Sequence, residues 1–197
     1  MVTLTFRALA ALALALAVAA CGSGSSPRAK TVPTRSAGAP FAWLAPAPPP
    51  AGWHSVRVPN GATLSYPPGW RTVKGDGGTA TAVLLDRQGH DLGYLNLTPR
   101  QNPETLANWT AFRPQHNVEE GERDVSTEGA AGGLRFRTGR GACVQDAYTT
   151  STGRRYVEVA CLVAGAHASS VVVGAALDTR GGREHAAIER AIDAMTT

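Results

Sequence analysis

Three cysteines carry the most legible chemistry in this 197-residue chain. Cys21 ends an uncharged run, Ala8 to Ala20, that follows Arg7. About 13 residues fall short of the roughly 20 that a membrane-spanning helix needs, but they match the apolar core of a secretory signal. A thiol directly after such a core can accept a lipid. Cys143 and Cys161 lie far downstream, where an exported chain would oxidise a suitably placed pair. Nothing near either marks a low-pKa thiolate, so a catalytic thiol is not expected.

The residues "VAAC", Val18 to Cys21, resemble the bacterial lipobox. That resemblance implies cleavage before Cys21 and attachment of a diacylglycerol to it; the other reading is a plain signal peptide with a chance cysteine. Two acyl chains hold a protein to a bilayer where one is marginal. Residues 1–20 are thus expected to be a lipoprotein signal peptide. The chain would lie outside the cytoplasm, anchored to the cell membrane by its lipidated first cysteine.

Other chemistry is sparse. The sequence has no phosphate-loop pattern, no paired-histidine zinc motif and no "GxSxG" elbow. His54, His90, His116, His167 and His185 are scattered, with no two within four residues. No metal or cofactor is expected. "LRFRTGR" places Arg135 and Arg137 on one face of an expected strand, Leu134 to Thr138, with Arg140 beyond. The pair is either a polar sheet face or a contact for an anionic ligand or lipid headgroup. Trp70 and Trp109 are expected in the core. Trp53 is the better surface candidate for binding, since large aromatics anchor interfaces.

Composition divides the chain. Residues 21–51 read as the lipidated cysteine and a Gly/Ser/Pro-rich tether, stiff where "APAPPP" favours polyproline II. Phe41, Trp43 and Leu44 are unusual in a linker; they either pack loosely on the domain or membrane surface or form a docking motif. Residues 52–197 make one domain of ordinary size. Arg7, Arg28, Lys30 and Arg35 precede it, leaving 15 of the 19 basic residues against 15 acidic ones. That balance argues against a nucleic-acid partner. Lys30 and Lys74 are the only lysines, which with the Ala and Gly content points to a GC-rich, actinobacterial source.

The domain reads mainly as strands: His54–Pro59, a short one within Gly61–Trp70 stopped by two prolines, Thr79–Asp86, Leu92–Thr98, Val118–Thr127, Leu134–Thr138 and Ser169–Leu177. "KGDGG" reads as a turn and "EEGERD" as a solvated edge. "NPETLANWTAFRPQ" switches to helical period, with Asn102 as cap and Pro103 at the first helical position. A last amphipathic helix is expected over about 182–195, with Ile188, Ala191 and Ile192 on its apolar stripe. "CVQDAYTT" and "RRYVEVACLV" test well as a hairpin centred on Thr152. Cys143 then faces Cys161, Tyr148 faces Tyr156, and Gly153 takes the left-handed loop position. This register predicts a Cys143–Cys161 disulfide.

"GATLSYPPGW", the strand meander, a helix containing "LANW", the hairpin and the final helix resemble the PsbP-like proteins, which share their fold with the Ran-binding Mog proteins. With the lipobox and Pro-rich tether, the layout is similar to actinobacterial lipoproteins of the LpqN type. The resemblance implies an α+β fold, an antiparallel sheet flanked by helices in an α/β/α sandwich. It also implies a module that binds an envelope protein or an apolar or lipid ligand without catalysis, and it transfers no site residue. The alternative is a small cell-envelope hydrolase whose site the fold assembles.

Overall fold

The computed structural model describes residues 39–180 and 182–197. The leader, Cys21 and most of the expected tether lie outside the described residues. In chain order the elements are β1 (His54–Arg57), β2 (Thr63–Tyr66), β3 (Arg71–Val73), β4 (Ala80–Leu85), β5 (Asp91–Pro99), α1 (Trp109–Glu119), β6 (Arg123–Arg135), β7 (Gly139–Thr149), β8 (Arg155–Gly165), β9 (Ser169–Leu177) and α2 (Arg183–Ala194). β3 to β9 form a seven-stranded sheet in the order β3-β4-β5-β9-β8-β7-β6, and β1 and β2 pair separately. Every pairing is antiparallel. The fold is the expected α+β sandwich.

The β7–β8 hairpin has the register read from the sequence. Cys143 pairs with Cys161, Gln145 with Val159, Ala147 with Val157 and Tyr148 with Tyr156. Gly153, at φ +80°, closes the loop by donating its N–H to the Thr150 carbonyl at 2.9 Å. The sulfurs are bonded at 2.09 Å.

Period-2 alternation sorts the sheet's side chains between two cores. Val159, Cys161 and Val163 of β8 join Leu95, Leu97, Val172, Ile188 and Ile192 under α2. Ala160 and Leu162 turn the other way and meet Trp109 of α1. Contact under α2 is close: a Cβ at Gly174 would collide with Ile188 and sit 3.0 Å from Leu95 Cδ2.

Four expectations need correction. The first helix begins at Trp109, not at Asn102 and Pro103. Residues ahead of it are held in turns by reciprocal bonds, Thr105 N–H to Asn108 Oδ1 at 2.8 Å and Asn108 N–H to Thr105 Oγ1 at 3.1 Å; such side chains compete with helical backbone bonding. Val118 belongs to this helix, and the following strand starts at Arg123 and runs unbroken to Arg135. Arg135 ends β6 and Arg137 lies in the turn, so they do not share one strand face. A short edge strand, Arg71–Val73, was not anticipated.

Packing also begins before residue 52. Phe41 is 7% exposed, in the core under α2, with Trp43 and Leu44 against it. Its φ of +64° is uncommon for a bulky residue, a strain that burial of the ring offsets. Asp193 of α2 clasps the segment: its Oδ1 accepts the Ala45 N–H at 2.7 Å and its carbonyl the Ala47 N–H at 3.1 Å. The described part of the expected tether is therefore docked on the domain.

Candidate functional site

α1 lies across the β6–β8 half of the sheet. Trp109, Phe112, Arg113 and His116 recur at helical spacing, which brings them to the sheet-facing side. Trp109 is anchored by its indole N–H, which donates to the Ala160 carbonyl at 3.0 Å. One turn later Arg113 reaches Glu158 of β8. Its Nε donates to Glu158 Oε1 at 2.7 Å and its Nη2 to Oε2 at 2.9 Å, the bidentate fork that guanidinium and carboxylate favour.

Glu158 has no measurable exposure, and its charge is fully engaged. Besides Arg113, Asn117 Nδ2 donates to Oε1 at 3.4 Å, Tyr94 Oη to Oε2 at 3.1 Å and Tyr148 Oη to Oε2 at 3.4 Å. A carboxylate so satisfied fixes Arg113 and the two phenols in place. Burial works against the Arg113 charge, but the hydrogen bonds and charge of Glu158 outweigh it and hold the proton more tightly than usual. Burial, then the Glu158 charge, pushes both tyrosine hydroxyls above their ordinary range.

Two further acids sit beside this network. Asp146 of β7 pairs directly with Glu158 across the ladder and is 1% exposed. Burial pushes it up to about 6; the hydrogen bond from Thr127 opposes the shift and the Glu158 charge adds to it. Glu122 is raised by burial and by Glu120 and Glu158. Asp146 Oδ2 and Glu122 Oε2 have no hydrogen-bond partner among the described residues.

Beyond Arg113 the helix leaves the β4–β5 side of the sheet uncovered, and an open groove of about 360 Å³ runs there. Thr81, Asn96 and Thr98 form its sheet wall, and Phe112, His116 and Glu120 its helix wall. Asn96 Nδ2 donates to Thr81 Oγ1 at 2.8 Å. His116 stacks on Phe112 at 5.6 Å between ring centroids and approaches Glu120 Oε1 to 3.3 Å. The groove offers amides, hydroxyls and ring edges on a stiff base, a surface suited to recognition.

The residues singled out from sequence are dispersed. Trp70 and Trp109 are buried. Trp53 is half-buried and packs on the edge of the core under α2, so it offers only part of its ring. Arg135 and Arg137 are exposed at the β6–β7 turn, away from the groove's lining. Among the described residues no cluster of His, Cys, Asp or Glu is arranged to hold a metal ion, and no helix is long and apolar enough to cross a membrane. Glu158 and its partners were missed. The signal was present: the hairpin register puts Asp146 opposite Glu158 on the face shared with Ala160 and Leu162, and two acids on a buried face require a cation or a proton.

No family model matches the chain, and no curated protein matches it in sequence. Among solved structures, PsbP of the cyanobacterium Synechocystis sp. PCC 6803 is similar over 75% of this chain and 94% of its own, with a TM-score of 0.53 at 12% identity. The fold is that of PsbP. LpqN of Mycobacterium tuberculosis, described as involved in cell envelope biogenesis, aligns over 73% of this chain and 89% of its own, with a TM-score of 0.43 at 14% identity. A Bacteroides thetaiotaomicron protein aligns over 74% of this chain, with a TM-score of 0.47 at 12% identity; the chain spans about half of that protein, 48%. At such identities the PsbP likeness concerns the backbone and assigns no residue a role.

Proposed function

We propose that this protein is an LpqN-type envelope lipoprotein, held to the membrane through Cys21, whose PsbP-fold domain binds a protein partner and performs no catalysis. The observation that carries the binding reading is the open groove beside α1, whose lining residues Arg113 and Tyr94 are held in place by the buried Glu158. An apolar ligand carrier needs an enclosed apolar cavity. Here the space under α2 is filled by Leu95, Leu97, Ile188, Ile192 and Met195, and the groove is open and partly polar, which favours a protein over a lipid. The lipobox resemblance supports the anchor.

Three measurements test this reading. A photo-crosslinking residue at Thr98 should capture a protein in intact cells, while the same residue at Gln88, on the β4–β5 turn, should not. Crosslinking to extractable lipid alone would replace the protein partner with a ligand. Turnover of ester, phosphate or peptide substrates by the purified chain, abolished by one side-chain substitution, would overturn the non-catalytic reading. For the anchor, Cys21→Ser should abolish partitioning into detergent; a wild-type chain carrying no lipid mass would refute it.

A further inference from the structure

The β6–β7 hairpin ends in three arginines that have no carboxylate partner among the described residues. Arg135 closes β6, Arg140 faces it across the ladder, and Arg137 occupies the turn. With Phe136 and Gly139 they line a hollow of about 550 Å³. Arg137 Nη1 donates to the Ala194 carbonyl at 3.1 Å, and Arg140 Nη2 to the Gly133 carbonyl at 3.3 Å. Among the described residues no carboxylate forms an ion pair with any of the three, as with Arg71 and Arg87, but here three guanidinium groups share one hollow. The tip is also stiff. Phe136 is buried, a Cβ at Gly141 would lie 2.6 Å from its Cε2, and Thr138 Oγ1 accepts the Thr197 N–H at 2.8 Å.

We propose that this tip rests on the anionic face of the membrane, its guanidinium groups engaging the phosphates of lipid headgroups. The proposal rests on the lipid-anchored reading above. Guanidinium forks match phosphate oxygens, and unpaired ones near a negatively charged leaflet favour the docked state by about fivefold each. The connection permits it. Pro40 packs against β6 at Gly129, where a Cβ would be 3.4 Å away, so the chain enters the domain along the strand that ends in Arg135. Roughly 18 residues separate Cys21 from the docked segment and can extend at most about 60 Å. From Gly129 to the tip is only about 20 Å of strand.

The test uses the full lipidated chain, reconstituted into vesicles of phosphatidylcholine alone or with phosphatidylglycerol. An arginine-specific dicarbonyl reagent is applied and labelling is read peptide by peptide. Arg135, Arg137 and Arg140 should label up to roughly a hundredfold more slowly on the anionic vesicles, with the difference removed by high salt. Arg71 and Arg87, at the opposite edge of the sheet, should label equally on both. Arg137→Gln should speed labelling of Arg135 and Arg140 on anionic vesicles by roughly fivefold and leave flotation with neutral vesicles unchanged. Equal labelling of the tip on both vesicles would overturn the proposal, as would equal slowing at Arg71 and Arg87. Protection by free glycerol phosphate on neutral vesicles would assign the tip to a soluble anion instead. Failure of the wild-type chain to float with neutral vesicles would refute the anchor itself, and the proposal with it.

Discussion

Arg113→Met should unfold the protein more readily than any exposed substitution, for an electrostatic reason. The change removes the bidentate partner of Glu158, a carboxylate with no solvent exposure. Its remaining donors are Tyr94, Tyr148 and Asn117, at 3.1 to 3.4 Å, too long and too neutral to replace a guanidinium. Breaking a buried pair by deleting one member costs about 3–5 kcal/mol. In a chain of this size that lowers the melting temperature by roughly 10 °C. Urea unfolding followed by circular dichroism gives the free energy directly. The reasoning also fixes the double variant. Arg113→Met with Glu158→Leu removes both charges and should return to within about 1 kcal/mol of wild type. A single variant that loses less than about 1 kcal/mol, or a double variant no better than the single, would show that the buried charge is not what α1 is docked around.

Asp146, raised to about 6 from an ordinary 3.8, holds its proton more tightly folded than unfolded. Its contribution is therefore full below about pH 4 and is lost as pH rises through 6, so Asp146→Asn should gain up to about 3 kcal/mol at pH 7.5, read from melts at both ends of that window. Phe41→Ala should cost about 3 kcal/mol, whereas a free linker would show no change in the urea midpoint. Replacing Cys143 and Cys161 together by alanine should cost about 3 kcal/mol on the chain-entropy account, and an intact mass of the untreated domain that leaves both thiols open to alkylation would contradict the bridge.

The strands and the β7–β8 register were readable because they depend on short-range rules. Alternation sets faces, Gly153 sets the loop, and two cysteines fix the ladder between them. The candidate site was harder to read because its parts are far apart in sequence. Arg113 and Glu158 are 45 positions apart, and neither sits in a motif. Only the arrival of α1 on one particular face of the sheet brings them together, and the composition of either segment does not specify that docking. The start of α1 was misplaced for a related reason: Asn102 and Pro103 fit a helix start, but the mutual bonding of Thr105 and Asn108 defers it to Trp109. The docked segment was half legible: Phe41, Trp43 and Leu44 stand out in Pro- and Ala-rich surroundings, but composition alone does not choose between loose packing and the burial of Phe41 in the core.

The Asp193 clasp sets where mechanical load would enter the molecule. A pull applied to the chain ahead of the domain would arrive at residue 39, before Phe41. It would first meet that buried ring, then the two hydrogen bonds from Ala45 and Ala47 to Asp193. Both lie at the end of α2, which is itself tied down by the Thr63–Thr196 bridge and the contact of Thr197 with Thr138. A tug would peel the docked segment before it loaded the sheet's strand pairing, so the clasp would act as a mechanical fuse that yields while the groove beside α1 keeps its shape.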